Sequence, residues 1–173
     1  MIRGRPLLAA ALLCLGLVSS VSTLSADEAI RPLSSFPRER IAIETRSARR
    51  HVFDAWRADT DATRAQGLMY VKSLPPGQAM IFVYSPAQYV AMWMKNTLIP
   101  LDMLFVDPAG CIVTVHERAQ PGSLDTIEGD GPIVLVVELA GGSAANLGIG
   151  LGDRVTRPEI GWPRDPRPCG VLH

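Results

Sequence analysis

Between residues 40 and 155, apolar and polar positions fall into short alternating or wholly apolar runs, punctuated by Gly, Pro, Ser and Asp. That is the pattern of strands joined by tight turns. Arg40–Thr45 alternates with Ile41 and Ile43 on one side, and His51–Ala58 suits a partner strand with Val52 on one side and Phe53 and Trp56 on the other. Thr60 is placed to cap a short helix through Gln66, with Asp61 near its positive end and Gly67 as its stop. Met80–Tyr84 and Val90–Lys95 are apolar runs of strand length on either side of a turn-like Ser85-Pro86-Ala87. Leu101–Asp107 and Cys111–Glu117 flank Asp107-Pro108-Ala109-Gly110, where proline second and glycine fourth suit a type I turn and predict a hairpin. Ile133–Leu139 is the most hydrophobic segment and reads as a central strand. Ser143 would cap one helical turn ending at Leu147, with Gly148 in the left-handed position beyond it. The expected fold is mainly β, a compact small barrel or sandwich with one or two short helices.

The pattern changes at both ends. Arg3 and Arg5 precede an apolar run from Leu7 to Val18, followed by small and polar residues through Ala26. This is the layout of a secretory signal, too short for a bilayer span, with cleavage expected after Ala26 and Ser20 or Ser22 as alternatives. Leu13 before Cys14, and the apolar run beyond it, argue against a lipid anchor. The chain therefore divides into a signal peptide (1–26), a flexible lead-in (27–39), a β domain (40–155) and a proline-rich tail (156–173), and the protein is expected to be exported to the periplasm or beyond the cell.

Composition narrows the function classes. With 173 residues, 47% of them hydrophobic, one domain can bury a real core. Lys+Arg and Asp+Glu both number 17, which excludes a strongly basic nucleic-acid binder and a highly charged disordered chain. No membrane span is expected, and a monomer or weak oligomer is. Of three cysteines, signal removal leaves Cys111 and Cys169, which can form one bridge in an oxidising compartment or remain two thiols; geometry decides.

Charges inside apolar strands carry the most functional information. Asp102 sits between Leu101 and Met103, Glu138 ends the face of Val134 and Val136, and Lys95 closes the run that holds Met92, Trp93 and Met94. An isolated buried charge is very costly, so Asp102 and Glu138 are expected near cations, with Lys95 and Arg64 the best candidates. The meeting place is either a structural ion network or the polar floor of a pocket.

Gly67-Leu68-Met69, Met80-Ile81-Phe82 and the block from Trp93-Met94-Lys95-Asn96-Thr97 through Phe105 resemble the bacterial and archaeal domain-of-unknown-function family number one hundred and ninety-two. Pro121-Gly122-Ser123, Val137-Glu138-Leu139-Ala140-Gly141-Gly142, Gly148-Ile149 and Gly152-Asp153-Arg154-Val155 continue the resemblance, in order, over roughly 50–155. It implies a compact, mainly-β domain that is often exported, and it brings no catalytic residues. Ala79 departs from the glycine common before this methionine, and Cys111 takes a position that is usually not cysteine.

Three functions compete. A binding module would use a cleft of Arg64, Trp93, Lys95, Asn96, Thr97, Asp102 and Glu138 for a small polar ligand or a peptide end. An enzyme would use Asp102 and Glu138 as a carboxylate pair with Lys95. Its usual furniture is missing: His51, His116 and His173 are scattered, and Gly148, Gly150 and Gly152 read as turn glycines rather than a phosphate loop. Copper handling would use the thioethers of Met69, Met80, Met92, Met94 and Met103, with Met92 and Met94 on one strand face, although methionine is also ordinary core filler. Non-covalent binding is the favoured expectation, with no cofactor, no resident metal and no nucleic acid.

Overall fold

The computed structural model describes Met1, residues 30–163 and residues 167–170; the expected signal segment, its cleavage sites and Cys14 lie outside the described residues. The strands are β1 (Arg38–Glu44), β2 (Arg50–Ala58), β3 (Gln78–Gln88), β4 (Ala91–Met92), β5 (Leu101–Val106), β6 (Ile112–Ala119), β7 (Ile127–Glu128), β8 (Ile133–Ala140) and β9 (Arg154–Thr156). Two short helices, α1 (Asp61–Gln66) and α2 (Ser143–Leu147), and 3-10 turns at Leu33–Ser35 and Pro158–Ile160 complete the described elements. Seven strands pair in the order β6-β5-β8-β3-β2-β1-β9 into one sheet curled as a half-barrel, while β4 and β7 form a small separate ribbon. The fold is mainly β.

Strand β8 holds the middle of this arrangement, antiparallel to β3 on one side and β5 on the other. Strands β2 and β3 run parallel, which requires a crossover, and α1 with the segment after it supplies that crossover. Both faces of the sheet are covered. One packs Trp56, Met80, Phe82, Met103, Phe105 and Val136 beneath Leu68 and Leu74 of the crossover. The other packs Ile41, Ile43, Phe53, Ile81, Leu104 and Val137 against Ala144 of α2 and Ile149. Two-sided burial explains why the central strands read as continuous apolar runs rather than clean alternation.

Several local expectations are corrected. Phe53 and Trp56, an odd number of positions apart, point to opposite faces, and Val52 is 49% exposed. Strand β3 does not stop at Ser85-Pro86-Ala87 but continues to Gln88 through a register shift after Val83, the kind of site that tolerates a residue without an N–H. Of Val90–Lys95 only Ala91–Met92 is strand, because Met94 to Thr97 closes a turn through the Thr97 N–H on the Met94 carbonyl, 3.0 Å. The N-cap of α2 is Gly142, not Ser143. Before residue 40, Phe36 is already core at 3% exposure and β1 has begun at Arg38.

Other local signals form as the residues dictate. Thr60 caps α1 in a reciprocal box with Thr63, and Gly67 ends it at φ +48°. In the β5–β6 hairpin, Asp107 Oδ1 accepts the N–H groups of Ala109 and Cys111 at 2.9 and 2.8 Å. Cys111 and Cys169 are joined in a disulfide, Cα atoms 5.4 Å apart, which ties the tail to the start of β6.

Glu39 fastens the tail to β1 and β2. Its carboxylate accepts from Arg157 Nε and Nη2 at 2.5 and 2.8 Å and from Arg57 Nη1 at 3.2 Å. Burial pushes the Glu39 pKa up, but hydrogen bonds and charge from Arg157 and Arg57 outweigh it and hold the group below its usual value. A depressed carboxylate stabilises the fold above its unfolded-state pKa, and that contribution disappears as pH falls through the folded-state value. Glu39→Gln is therefore expected to lower the thermal midpoint at pH 7 and to converge with the parent chain as the pH falls through the lowered folded-state value, read by circular-dichroism melts.

Candidate functional site

The β5–β8 ladder sets the site. Glu138 pairs with Met103 on β5 and Met80 on β3, so it lies on the Phe82 face of the sheet. Asp102 pairs with Leu139, one position along, and so lies on the opposite face. The two buried acids therefore do not form a carboxylate pair, which removes the expected acid–base arrangement with Lys95.

Their surroundings differ as sharply as their faces. Asp102 is completely buried, yet among the described residues no ion pair meets it. Oδ1 accepts the backbone N–H groups of Arg118 and Gly142, each at 2.8 Å, and Oδ2 accepts that of Ala144 at 2.8 Å. The carboxylate acts as a distant N-cap for α2 and anchors β6, on the face away from Glu138. Glu138 is 4% exposed, and its Oε2 has no hydrogen-bond partner among the described residues. Burial pushes its pKa up to about 8, so near neutral pH it is largely a protonated acid rather than an ion.

Glu138 lies at the floor of a cleft of ≈ 320 Å³ walled by α1, β3 and the turn after β4. Arg64, Trp93, Lys95 and Thr97 line this cleft with it, so five of the seven expected site residues meet. Arg64 is pinned: Nη1 donates to the carbonyls of Asp59 and Val83 at 2.8 and 2.9 Å, Nη2 pairs with Asp61, and the guanidinium stacks 5.3 Å from the Tyr84 ring centroid. Lys95 is exposed, and its ammonium lies 5.2 Å from the half-exposed Trp93 ring with no ion pair among the described residues. The Arg64 and Lys95 charges thus stand at the walls rather than bonded to Glu138.

Asn96 does not line the cleft; it builds the turn that presents Lys95. It adopts φ +56°, its carbonyl accepts the Tyr70 N–H at 2.9 Å, and its Nδ2 donates to Met69 Sδ at 3.8 Å. Tyr70 is also left-handed, at φ +62°. The Gly122 N–H bridges the Met94 and Thr97 carbonyls, both at 3.1 Å, and the Met94 N–H reaches the Ser123 carbonyl at 3.0 Å. At the far wall a Cβ on Gly67 would lie 2.9 Å from the Phe82 ring, so glycine lets the helix end close on the cleft.

Sequence reasoning missed Phe82, Tyr84, Met69 and Met92 as cleft walls. Alternation along β3 is the signal that finds two of them, since Phe82 and Tyr84 share the face of Met80 opposite Glu138. The Tyr84 hydroxyl donates to Met92 Sδ at 3.5 Å, and burial raises its pKa to about 12. Met80, Met94 and Met103 are core residues, and the strand ends before Met94, so the expected thioether face of Met92 and Met94 does not form. Among the described residues, no group of three or more His, Cys, Asp or Glu could hold a metal ion.

Elsewhere, a cavity of ≈ 480 Å³ lies under the tail between Arg46, Asp107, Cys111 and Pro168, but the Asp107 carboxylate there is already committed to its turn. At the glycine-rich segment, the Gly150 N–H is taken by Asp153 Oδ2 at 2.7 Å, which leaves a carboxylate where a phosphate would need a donor.

The family described as Uncharacterized ACR (DUF192) matches residues 42–157. Two solved structures share the fold: one described as a putative transcription regulator from Sinorhizobium meliloti, 40% identical, covering 70% of this chain and 95% of that one at TM-score 0.69. The other is a protein of unknown function from Novosphingobium aromaticivorans, 36% identical, covering 74% and 91% at TM-score 0.70. No curated protein matches significantly.

The contrast between the two buried acids predicts opposite mutational signs. Asp102→Asn turns an NH2 group toward a backbone donor and should cost about 2–4 kcal/mol throughout pH 5–8. A folded-state pKa raised from 4.5 to about 8 gives Glu138 a stabilising contribution that is full below 4.5 and lost as pH rises through 8. Glu138→Gln should therefore gain stability over the parent chain as pH rises from 5 to 8, by up to about 1 kcal/mol per pH unit. Urea unfolding at several pH values measures both.

Proposed function

The chain belongs to the DUF192 family, and on that premise we propose that it is an exported binding module which holds a small polar ligand or a peptide end in the Glu138 cleft. One observation carries the reading: a buried carboxyl oxygen without a protein partner, at the floor of an open cleft. Such a group costs about 1–3 kcal/mol relative to a satisfied one. Asp102, on the neighbouring strand, has its backbone donors in place, so the same fold is able to satisfy a buried acid. A ligand group bonded to the Glu138 carboxyl would supply what this side chain lacks, while Trp93 and Lys95 offer an aromatic face and a charge at the entrance.

Export rests on the sequence, from Arg3 and Arg5 through the apolar run to Ala26. The Cys111–Cys169 bridge supports it, because such bonds persist in oxidising compartments. The description of the Sinorhizobium meliloti protein as a putative transcription regulator is not carried to this chain. Equal numbers of acidic and basic residues give no electrostatic footprint for nucleic acid.

A thermal-shift panel of amino acids, dipeptides, organic acids and amines tests the reading. At a hundredfold excess over the dissociation constant a true ligand adds about 2.7 kcal/mol, a midpoint rise of several degrees for a domain of this size. The rise should be lost in Trp93→Ala combined with Lys95→Ala. A flat panel, or hits indifferent to that double substitution, would refute the cleft as the binding site.

A further inference from the structure

Building on the binding-module reading, we infer that the ligand is an organic carboxylate with a short apolar body, drawn in past the Lys95 ammonium and seated with its carboxylate on the Glu138 carboxyl. The charges that face Glu138 decide between an acid and an amine. Arg64 stands on α1, Lys95 on the turn after β4, and Asp61 at the mouth, so two cations oppose one fully exposed carboxylate. Tyr84 on β3 holds its proton, and the ladder neighbours Met80 and Met103 carry no charge. An ammonium ligand would meet net repulsion at the entrance, whereas an anion would be drawn in.

At the floor, two carboxyl groups can meet only if a proton lies between them. Glu138 brings that proton near neutral pH, so its carboxyl, which lines the cleft, serves as a donor to the incoming anion. Arg64 is spent on the Asp59 and Val83 carbonyls and on Asp61, and it supplies field rather than a hydrogen bond. Lys95, with no ion pair among the described residues, adds an attracting charge at the entrance. Between them Leu68, Met69, Phe82 and Met92 offer an apolar wall, so a bare inorganic anion would leave most of the cleft unfilled. Met69 and Met92 are unbranched and adaptable, which suits a body of variable shape.

Isothermal titration with 3-phenylpropionate, 3-phenylpropionamide and 3-phenylpropylamine on the full disulfide-bonded chain tests this. The acid should bind best at pH 6.5 and weaken about thirtyfold by pH 9.5, as Glu138 deprotonates through about 8. Glu138→Gln keeps a donor at every pH, so its affinity should be flat across that range. Lys95→Met, a change at an exposed position, should weaken the acid about tenfold at both pH values. Preference for the amine, affinity rising with pH, or failure of all three probes would overturn the carboxylate assignment. The binding reading survives that failure if any compound in the thermal-shift panel still depends on Trp93 and Lys95, and falls with it otherwise.

Discussion

A carboxyl group withdrawn from water must be met by donors or must keep its proton, and the pairing of β5 with β8 decides which happens to each buried acid. Because Asp102 pairs with Leu139 while Met103 pairs with Glu138, the register sends the acids to opposite faces. On one face the first turn of α2 and the bend at Arg118 turn three N–H groups toward Asp102. On the other, the sheet meets only side chains and an open cleft, and Glu138 has a bare oxygen and a raised pKa. A slip of β8 by one residue against its neighbours would turn Glu138 away from the cleft to the α2 face.

Around Glu138 the chain brings together segments far apart in sequence. Gly67 to Met69 closes the end of α1, Phe82 comes from β3, and Trp93 to Thr97 forms the turn after the short β4 ribbon. Pro121-Gly122-Ser123 has no side chain in the cleft lining, but its backbone holds that turn from behind through Gly122 and Ser123. These are the segments on which the family resemblance rests. Their convergence gives the match a physical content that a shared sheet alone would not.

Much of the fold was legible because it depends on short-range chemistry. Thr60 and Gly67 bound α1, Asp107-Pro108-Ala109-Gly110 turns the hairpin, and the apolar Ile133–Leu139 run sits between two strands. Errors arose where tertiary contacts overrode local pattern. Val90–Lys95 has strand composition, yet Asn96 takes a left-handed conformation and the run becomes a turn that presents Lys95. The site was half legible for a similar reason. That Asp102 and Glu138 needed partners followed from their apolar neighbours; that one would take backbone donors and the other none required the register, which no local pattern carries. Ser143 failed as a cap because Asp102, forty-one positions away in sequence, reached the helix first.

The rim of the cleft carries a further constraint. Tyr70 and Asn96 both sit in the left-handed region, joined by the Tyr70 N–H on the Asn96 carbonyl. For a bulky side chain such as Tyr70 that conformation costs of order 1 kcal/mol and persists only where surrounding bonds over-determine it. Here they do, through the hydrogen bonds from Gly122 and Thr97 and the Asn96 amide on Met69. The effect is to fix the backbone on which Trp93 and Lys95 stand before any ligand arrives. On the proposed binding reading, a preset rim would reduce the ordering cost, leaving more of the contact energy at Lys95 and Glu138 to appear as affinity. On that reading, backbone strain at the mouth and an unsatisfied acid at the floor are two sides of one arrangement, in which stability is given up for a prepared site.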